Sequence, residues 1–510
     1  MAIRKHPSRF RAIRPATEDL EQRQLLSGTV SGVNGEGDAW VLTLVGPGSV
    51  RVTKQPDAAG NATSLTGPTE IDTITVAGTD PLHTRLVGTV TPSGRGTGRV
   101  FFQNFVEVAN RSERTSGGNG LLSIDMPSFY LGLTAAAAPT TTAGAEPSIL
   151  IPDGTSTLRF GGVDTTAFFG TDPTKSLANN GQSDQLRVSI GIPQFAGARI
   201  VVDKVITGAT AGTPTATAPG APTQDGVTFA VAGRLGLFQA NEIVGNSQLP
   251  PARFATQGGT IVEAFTPGTS TGIPGPIGTF RVGTNATNLT VVTDDKIRDF
   301  FIGGETSNVS VLAPNGSRNL YFGKGMDTVQ IFTHTIEKLF ANRGAVNSRV
   351  IADRQIDNVE FGGAVVDTTI ESGYNQSLQQ FLQNPSSPPT PTAQSGGQMR
   401  VNVAGDITNS VFAASVLPPT NGIFGTNQDL RLPYGTIKAR VEGVISNTTA
   451  TPGSPKTAFY AQRVLLQNGP VVPPTVPEAP YSGPLSPRSL PGVPHPYRVA
   501  RATPQGPRVR

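Results

Sequence analysis

Apolar and polar positions alternate over short stretches along most of the chain. Trp40 to Val45, Ile71 to Val76, Arg187 to Ile192 and Arg199 to Val202 are β-branched runs bounded by Gly, Pro, Asn or Asp. Such runs predict short strands joined by tight turns. From Asn288 the pattern becomes periodic. The strand Asn288 to Val292 recurs at a spacing of 20 residues as Asn308 to Leu312, Thr328 to Phe332 and Ser348 to Ala352. A second strand keeps the same period: Phe300 to Gly303, Leu320 to Gly323, Phe340 to Arg343 and Glu360 to Gly363. The column Val291, Val311, Ile331, Ile351 is apolar, as an inward position requires. The column Thr287, Ser307, Asp327, Asn347, Asp367 is small and polar, as a corner requires. Stacked rungs sit about 4.8 Å apart, and one rung cannot bury its own apolar face. The pattern therefore predicts an all-β chain. Its middle would be a parallel β-helix, a β-solenoid of about 20 residues per coil, flanked by further β units with long loop insertions. Val-rich strands of a sandwich are the competing arrangement, but a sandwich does not require one spacing in two strands.

Low-complexity stretches divide the chain. The predicted segments are a basic arm at 1–28, a β-rich unit at 29–133, a second at 148–270 with a disordered loop at 208–224, and solenoid coils at 271–372. Leu378, Phe381 and Leu382 share one helical face, so a short capping helix is expected over 373–383. A Pro/Ser linker at 384–397, a C-terminal β unit at 398–468 and a disordered Pro-rich tail at 469–510 complete the division. A looser pattern places Gly inside an alternating strand at Gly88, Gly233, Gly405 and Gly443, each followed by a Phe (Phe101, Phe238, Phe412, Phe459). Gly within a strand marks a bulge or a close backbone approach.

Composition narrows the chemistry. With 60 Gly and 43 Pro, the elements must be short and the turns many. The chain has 0 Cys, which excludes disulfides, thiolate nucleophiles and Cys-ligated metals. It has 4 His, two of them (His6 and His495) near the ends, so a His-based triad or zinc site is not expected. The net charge of +4 resides in the ends: residues 1–23 hold six basic and three acidic groups, and 469–510 hold five and one. The body between them is slightly acidic, so no nucleic-acid partner is expected. No apolar run reaches the length of a transmembrane segment.

The basic N-terminal arm leads into Leu20-Glu21-Gln22-Arg23-Gln24-Leu25-Leu26. By itself this reads as one turn of helix stopped at Gly28. The run resembles the LEPR-XLL sorting segment of planctomycetal surface and secreted proteins, with Gln22 in place of that family's Pro. The resemblance covers only about the first 28 residues. It implies an extracytoplasmic location, secreted or at the cell surface, through Leu20, Glu21, Arg23, Leu25 and Leu26. It implies no activity.

Candidate chemistry is sparse. Arg298, Arg318 and Lys338 fall in one column at the 20-residue period. A basic ladder suits a polyanion such as a cell-wall or extracellular polysaccharide. Equally, long side chains at an edge splay into solvent and deter edge pairing. Glu337 and Asp357 share a column and Asp294-Asp295 lies in a turn. Paired carboxylates hydrolyse glycosides, yet no hydrolase or lyase signature surrounds these. Neither a P-loop nor a Rossmann fingerprint occurs, nor the nonapeptide of calcium-binding β-rolls, and no cofactor or metal is expected. The sequence thus favours a non-enzymatic structural or adhesive surface protein. The alternative is a polysaccharide-binding or polysaccharide-degrading β-helix protein.

Overall fold

The computed structural model describes residues 28–55, 63–67, 69–108, 120–132, 148–164, 185–191, 197–207, 226–245, 260–265, 275–375, 392–393, 397–417, 430–431, 434–446 and 458–468. Every regular element among them is a β-strand, and none is a helix. The protein is all-β, and most of its strand pairs are parallel.

The strands stack in ladders. In the first, Ile74 pairs with Phe105, then Ile149, Val188, Phe229, Val262 and Val291 follow in register. The same ladder continues through Val311, Ile331, Val350, Ile370, Phe412 and Phe459. A second ladder runs from Leu86 through Ile124, Leu158, Ile200, Phe238, Phe280 and Phe300. It goes on through Leu320, Leu339, Val359, Val401, Ala439 and Leu466. Short pairs such as Met326–Asp327, Ala345–Val346 and Val365–Val366 form a five-stranded parallel sheet of their own. Both long ladders pass without interruption through the segment boundaries expected at 133, 270 and 372. Strands separated by a long insertion still stand on successive rungs.

Burial explains the persistence. Side chains of the two long ladders form one continuous apolar core as far as Phe412 and Ala439, with Phe459 partly buried against it. Phe238 stacks on Phe280 at 5.0 Å, and Phe280 on Phe300 at 4.9 Å. These separations match the rung spacing, so the rings reinforce the backbone ladder. Close approach also fixes some side chains to none at all. A Cβ on Gly303 would lie 2.3 Å from the Gly283 carbonyl oxygen, and one on Gly323 would lie 2.2 Å from that of Gly303. In the same way Gly405 and Gly443 stand on adjacent rungs, and Phe412 pairs with Phe459.

One turn departs from the period. The span from Val291 to Ile297 is matched by Val311 to Ser317, but Ile331 to Ile336 is one residue shorter. Ala313-Pro314-Asn315-Gly316-Ser317 turns with Gly316 at φ 117, whereas Thr333-His334-Thr335-Ile336 runs on as continuous strand Val329–Ala341. The inward residue after Ile331 is therefore Val350, not Ile351 as the strict period predicts. Likewise Phe340 lies beside Tyr321, and Leu339 takes the inward place beside Leu320.

The corners follow the same correction. Left-handed residues are Asn288, Asn308 and Thr328, one place beyond the expected column, and then Asn347 and Asp367 within it, with φ between 48 and 54. Asn tolerates this conformation, and Asn308 Nδ2 donates to Asn288 Oδ1 at 2.6 Å. The expected capping helix also fails at its start. Tyr374–Asn375 is a strand, paired antiparallel with Thr392–Ala393, and 376–383 lie outside the described residues. A cap there has nothing to close, because Gln398–Val403 and Val411–Ala414 extend both ladders beyond it.

The two ends differ. At the N-terminal end the first rungs carry antiparallel strands, Ser49–Lys54 on Ile71–Ala77 and Ala39–Val45 on Arg85–Thr91, with Gly28–Val33 beyond. Buried Lys54 donates to the carbonyls of Val33 and Gly67, and buried Glu70 accepts from the Gly35 and Phe101 amides. Burial pushes the Lys54 amine down to about 8, with Glu70 opposing the shift. At the other end the last strand, Arg463–Asn468, pairs only with Thr436–Val441 among the described residues.

Thr328 is the β-branched exception in the left-handed column. Thr328→Asn is expected to stabilise the protein by about 1 kcal/mol, because it removes backbone strain and extends the Asn288–Asn308 bond. Denaturant titration of the variant against the parent measures the change.

Candidate functional site

An open groove of about 560 Å³ lies where the first strands turn into the second. Arg234, Lys296, Arg298, Asn315, Arg318 and Glu337 line it, over Gly278 and Gly316. Register explains its shape. Arg298 and Arg318 lie in one outward column whose preceding positions are Gly278 and Gly236. Those two glycines supply no side chain, and a Cβ on Gly278 would lie 2.5 Å from the Gly236 carbonyl oxygen. A hollow therefore opens beside Arg298. Arg234 and Lys296 stand on its other side, in the column that also holds Pro276 and Gly316.

The expected basic column is corrected at its third member. Arg298 stands beside Arg318, but the shortened turn brings Glu337 beside Arg318 and moves Lys338 beside Asn319. Arg298 Nε lies 2.7 Å from Asp299 Oδ2, and Arg318 Nε lies 3.3 Å from Glu337 Oε2. Lys338 Nζ lies 3.6 Å from Glu360 Oε2. Each of the three is thus near a carboxylate. Exposed pairs of this kind contribute only about 0–1 kcal/mol, and a bound anion can displace them. Arg234 and Lys296 have no carboxylate partner among the described residues. Two rung steps separate them, roughly 10 Å. They are the cations best placed to hold an anion, and the 20-residue reading missed them. Lys296 was legible as the residue before Ile297, whereas Arg234 lies beyond a long insertion that hides its register.

Other titratable groups are arranged structurally. Glu337 and Asp357 do occupy neighbouring positions, as expected, but both are exposed, and Asp357 accepts from Gln355. Asp294 Oδ1 accepts from the Gly275 amide, and Asp295 Oδ1 from Asn315. In the shortened turn His334 bonds Asp353, whose carboxyl is raised by burial and held back by His334 and Arg354. Glu371 is buried with Arg349 at 3.5 Å, and burial raises its carboxyl. No group of three or more His, Asp or Glu that could hold a metal ion occurs among the described residues. The sorting-segment residues Leu20, Glu21, Arg23, Leu25 and Leu26 lie outside the described residues.

No family model matches this chain, nor does any curated protein or solved structure. No helix among the described residues is long and apolar enough to cross a membrane.

Glu107 offers a pH test of the core. It is 2% exposed, accepts from Thr79 Oγ1 and the Asp153 amide, and is pushed up to about 7 by burial. A carboxyl raised on folding holds its proton in the folded state. Its cost is absent at pH 4, grows as pH rises, and is complete above pH 7. Glu107→Gln is therefore expected to stabilise the protein by about 2–3 kcal/mol at pH 8 and not at pH 4. Urea melts at the two pH values read the difference.

Proposed function

We propose that the chain is an extracytoplasmic β-solenoid with a structural or adhesive role and no catalytic activity. The observation that carries this reading is the pair of apolar ladders running in register from Ile74 to Phe459 and from Leu86 to Leu466. Such a stack grows in one direction and presents long outer faces without needing separate cores. Among the described residues the carboxylates along those faces serve turns and ion pairs, and the neighbouring Glu337 and Asp357 are both exposed rather than set in a closed cleft. The location rests on the LEPR-XLL-like run Leu20 to Leu26 alone. Fractionation of the producing cells is expected to place the protein outside the cytoplasm. Recovery of the full-length chain only from the cytosol defeats the location and leaves the fold untouched.

The groove favours a second reading, binding of an acidic polysaccharide. Arg234 and Lys296, which have no carboxylate partner among the described residues, offer two charges across a hollow wide enough for a sugar ring, and Arg298 and Arg318 continue the charge along the ladder. Electrostatic binding of this kind weakens with salt. On an immobilised polyuronate, replacing Arg234 and Lys296 with Gln is expected to abolish salt-sensitive retention, and Lys338→Gln to leave it intact. Equal retention of all three proteins removes the groove from consideration.

A further inference from the structure

Among the described residues, the last strand of the stack, Arg463–Asn468, has a neighbouring strand on one side only. Val464 and Leu466 continue the inward positions of Ile437 and Ala439, yet they are 36% and 46% exposed. Leu465 between them is 44% exposed and follows Lys438 on the outer side. On every earlier rung of this ladder the inward side chain is covered from both sides. An apolar strand with an unpaired edge is a template for another strand.

The strand matches itself. In an antiparallel pair, residues directly opposite each other share a face. A two-fold axis through Leu465 sets Val464 opposite Leu466 of a second copy, both inward, and Arg463 opposite Gln467, both outward. The core ladder then continues across the junction without a break, and no like charges meet. The chain's own residues 469–510 fit this edge poorly. From 469 to 496 no more than three consecutive residues lack Pro, which cannot donate to a ladder. Tyr497 to Thr503 is free of Pro, but Arg498 and Arg501 fall on opposite faces of it, so neither face is wholly apolar.

We propose that Arg463–Asn468 is a self-association edge, joining two copies end to end by antiparallel two-fold pairing centred on Leu465. The contact is isologous, so it closes at a dimer rather than a fibre. The N-terminal end does not compete, because its edge strands Gly28–Val33 and Ser49–Lys54 expose none of their large apolar side chains.

The absence of Cys makes the register directly testable. In full-length protein, Leu465→Cys places two thiols about 4.5–5.5 Å apart between Cα atoms, within disulfide range. Arg463→Cys places them roughly 14 Å apart, out of range. Sedimentation of the parent chain is expected to give twice the chain mass. Oxidation is expected to trap Leu465→Cys as a covalent dimer and to leave Arg463→Cys uncrosslinked. Leu466→Lys, at a half-exposed position, is expected to give a monomer with unchanged circular dichroism. A parent chain that is monomeric throughout the concentration range overturns the proposal. So do equal crosslinking of the two Cys variants and a dimer that survives Leu466→Lys.

Discussion

The structure depends on register between successive rungs. Parallel strands about 4.8 Å apart place each side chain against its counterpart on the next rung. A position must therefore suit its neighbours before and after it as well as its own strand. Where the inward position is Phe, as at 238, 280 and 300, rings stack at ring-contact distance. Where backbones meet, as at Gly283, Gly303 and Gly323, a Cβ has no room. Where a corner needs a left-handed residue, Asn recurs at 288, 308 and 347, and the Asn308 side chain bonds that of Asn288 one rung before.

Much of the stack was legible from sequence where rung lengths are equal. Val291, Val311 and Ile331 stand together as the spacing says, and so do Glu337 and Asp357. Legibility stopped at two physical features. The first is the shortened turn at Thr333 to Ile336, which a fixed period steps over, so that Val350 was passed over for Ile351. The second is insertion length. Ile370 and Phe412 are neighbours in the ladder although a long excursion separates them in sequence, and a period search cannot join them. The Gly405 and Gly443 segments read as equivalent β units and do stand on successive rungs, but each Gly lies just beyond its strand rather than inside it. The sorting segment stays a matter of resemblance, since no described residue reports on it.

The candidate site was half legible for the same reason. Arg298 and Arg318 belong to adjacent regular rungs and were found by spacing. Arg234 reaches the groove only because Leu235 pairs with Ile277 across a long insertion. The hollow itself comes from absent side chains, Gly236 and Gly278, and a search for chemistry-bearing residues does not register an absence. Binding surfaces on stacked rungs are set by which columns carry small residues as much as by which carry charge.

The shortened turn also decides the electrostatics of this face. At the strict period Arg318 would meet Lys338, and two like charges about 4.8 Å apart repel by roughly 1 kcal/mol even in water. Dropping one residue rotates Glu337 into that place and puts Lys338 within reach of Glu360. Repulsion becomes attraction, and the basic column ends after Arg298 and Arg318. Among the described residues, the cations of the groove without a carboxylate partner are then Arg234 and Lys296, beside the glycines that open the hollow. A single deleted residue in a turn thus separates a charge-balanced surface from one end of the groove where positive charge remains. That asymmetry gives the face a direction along the ladder, which a uniform basic column would lack.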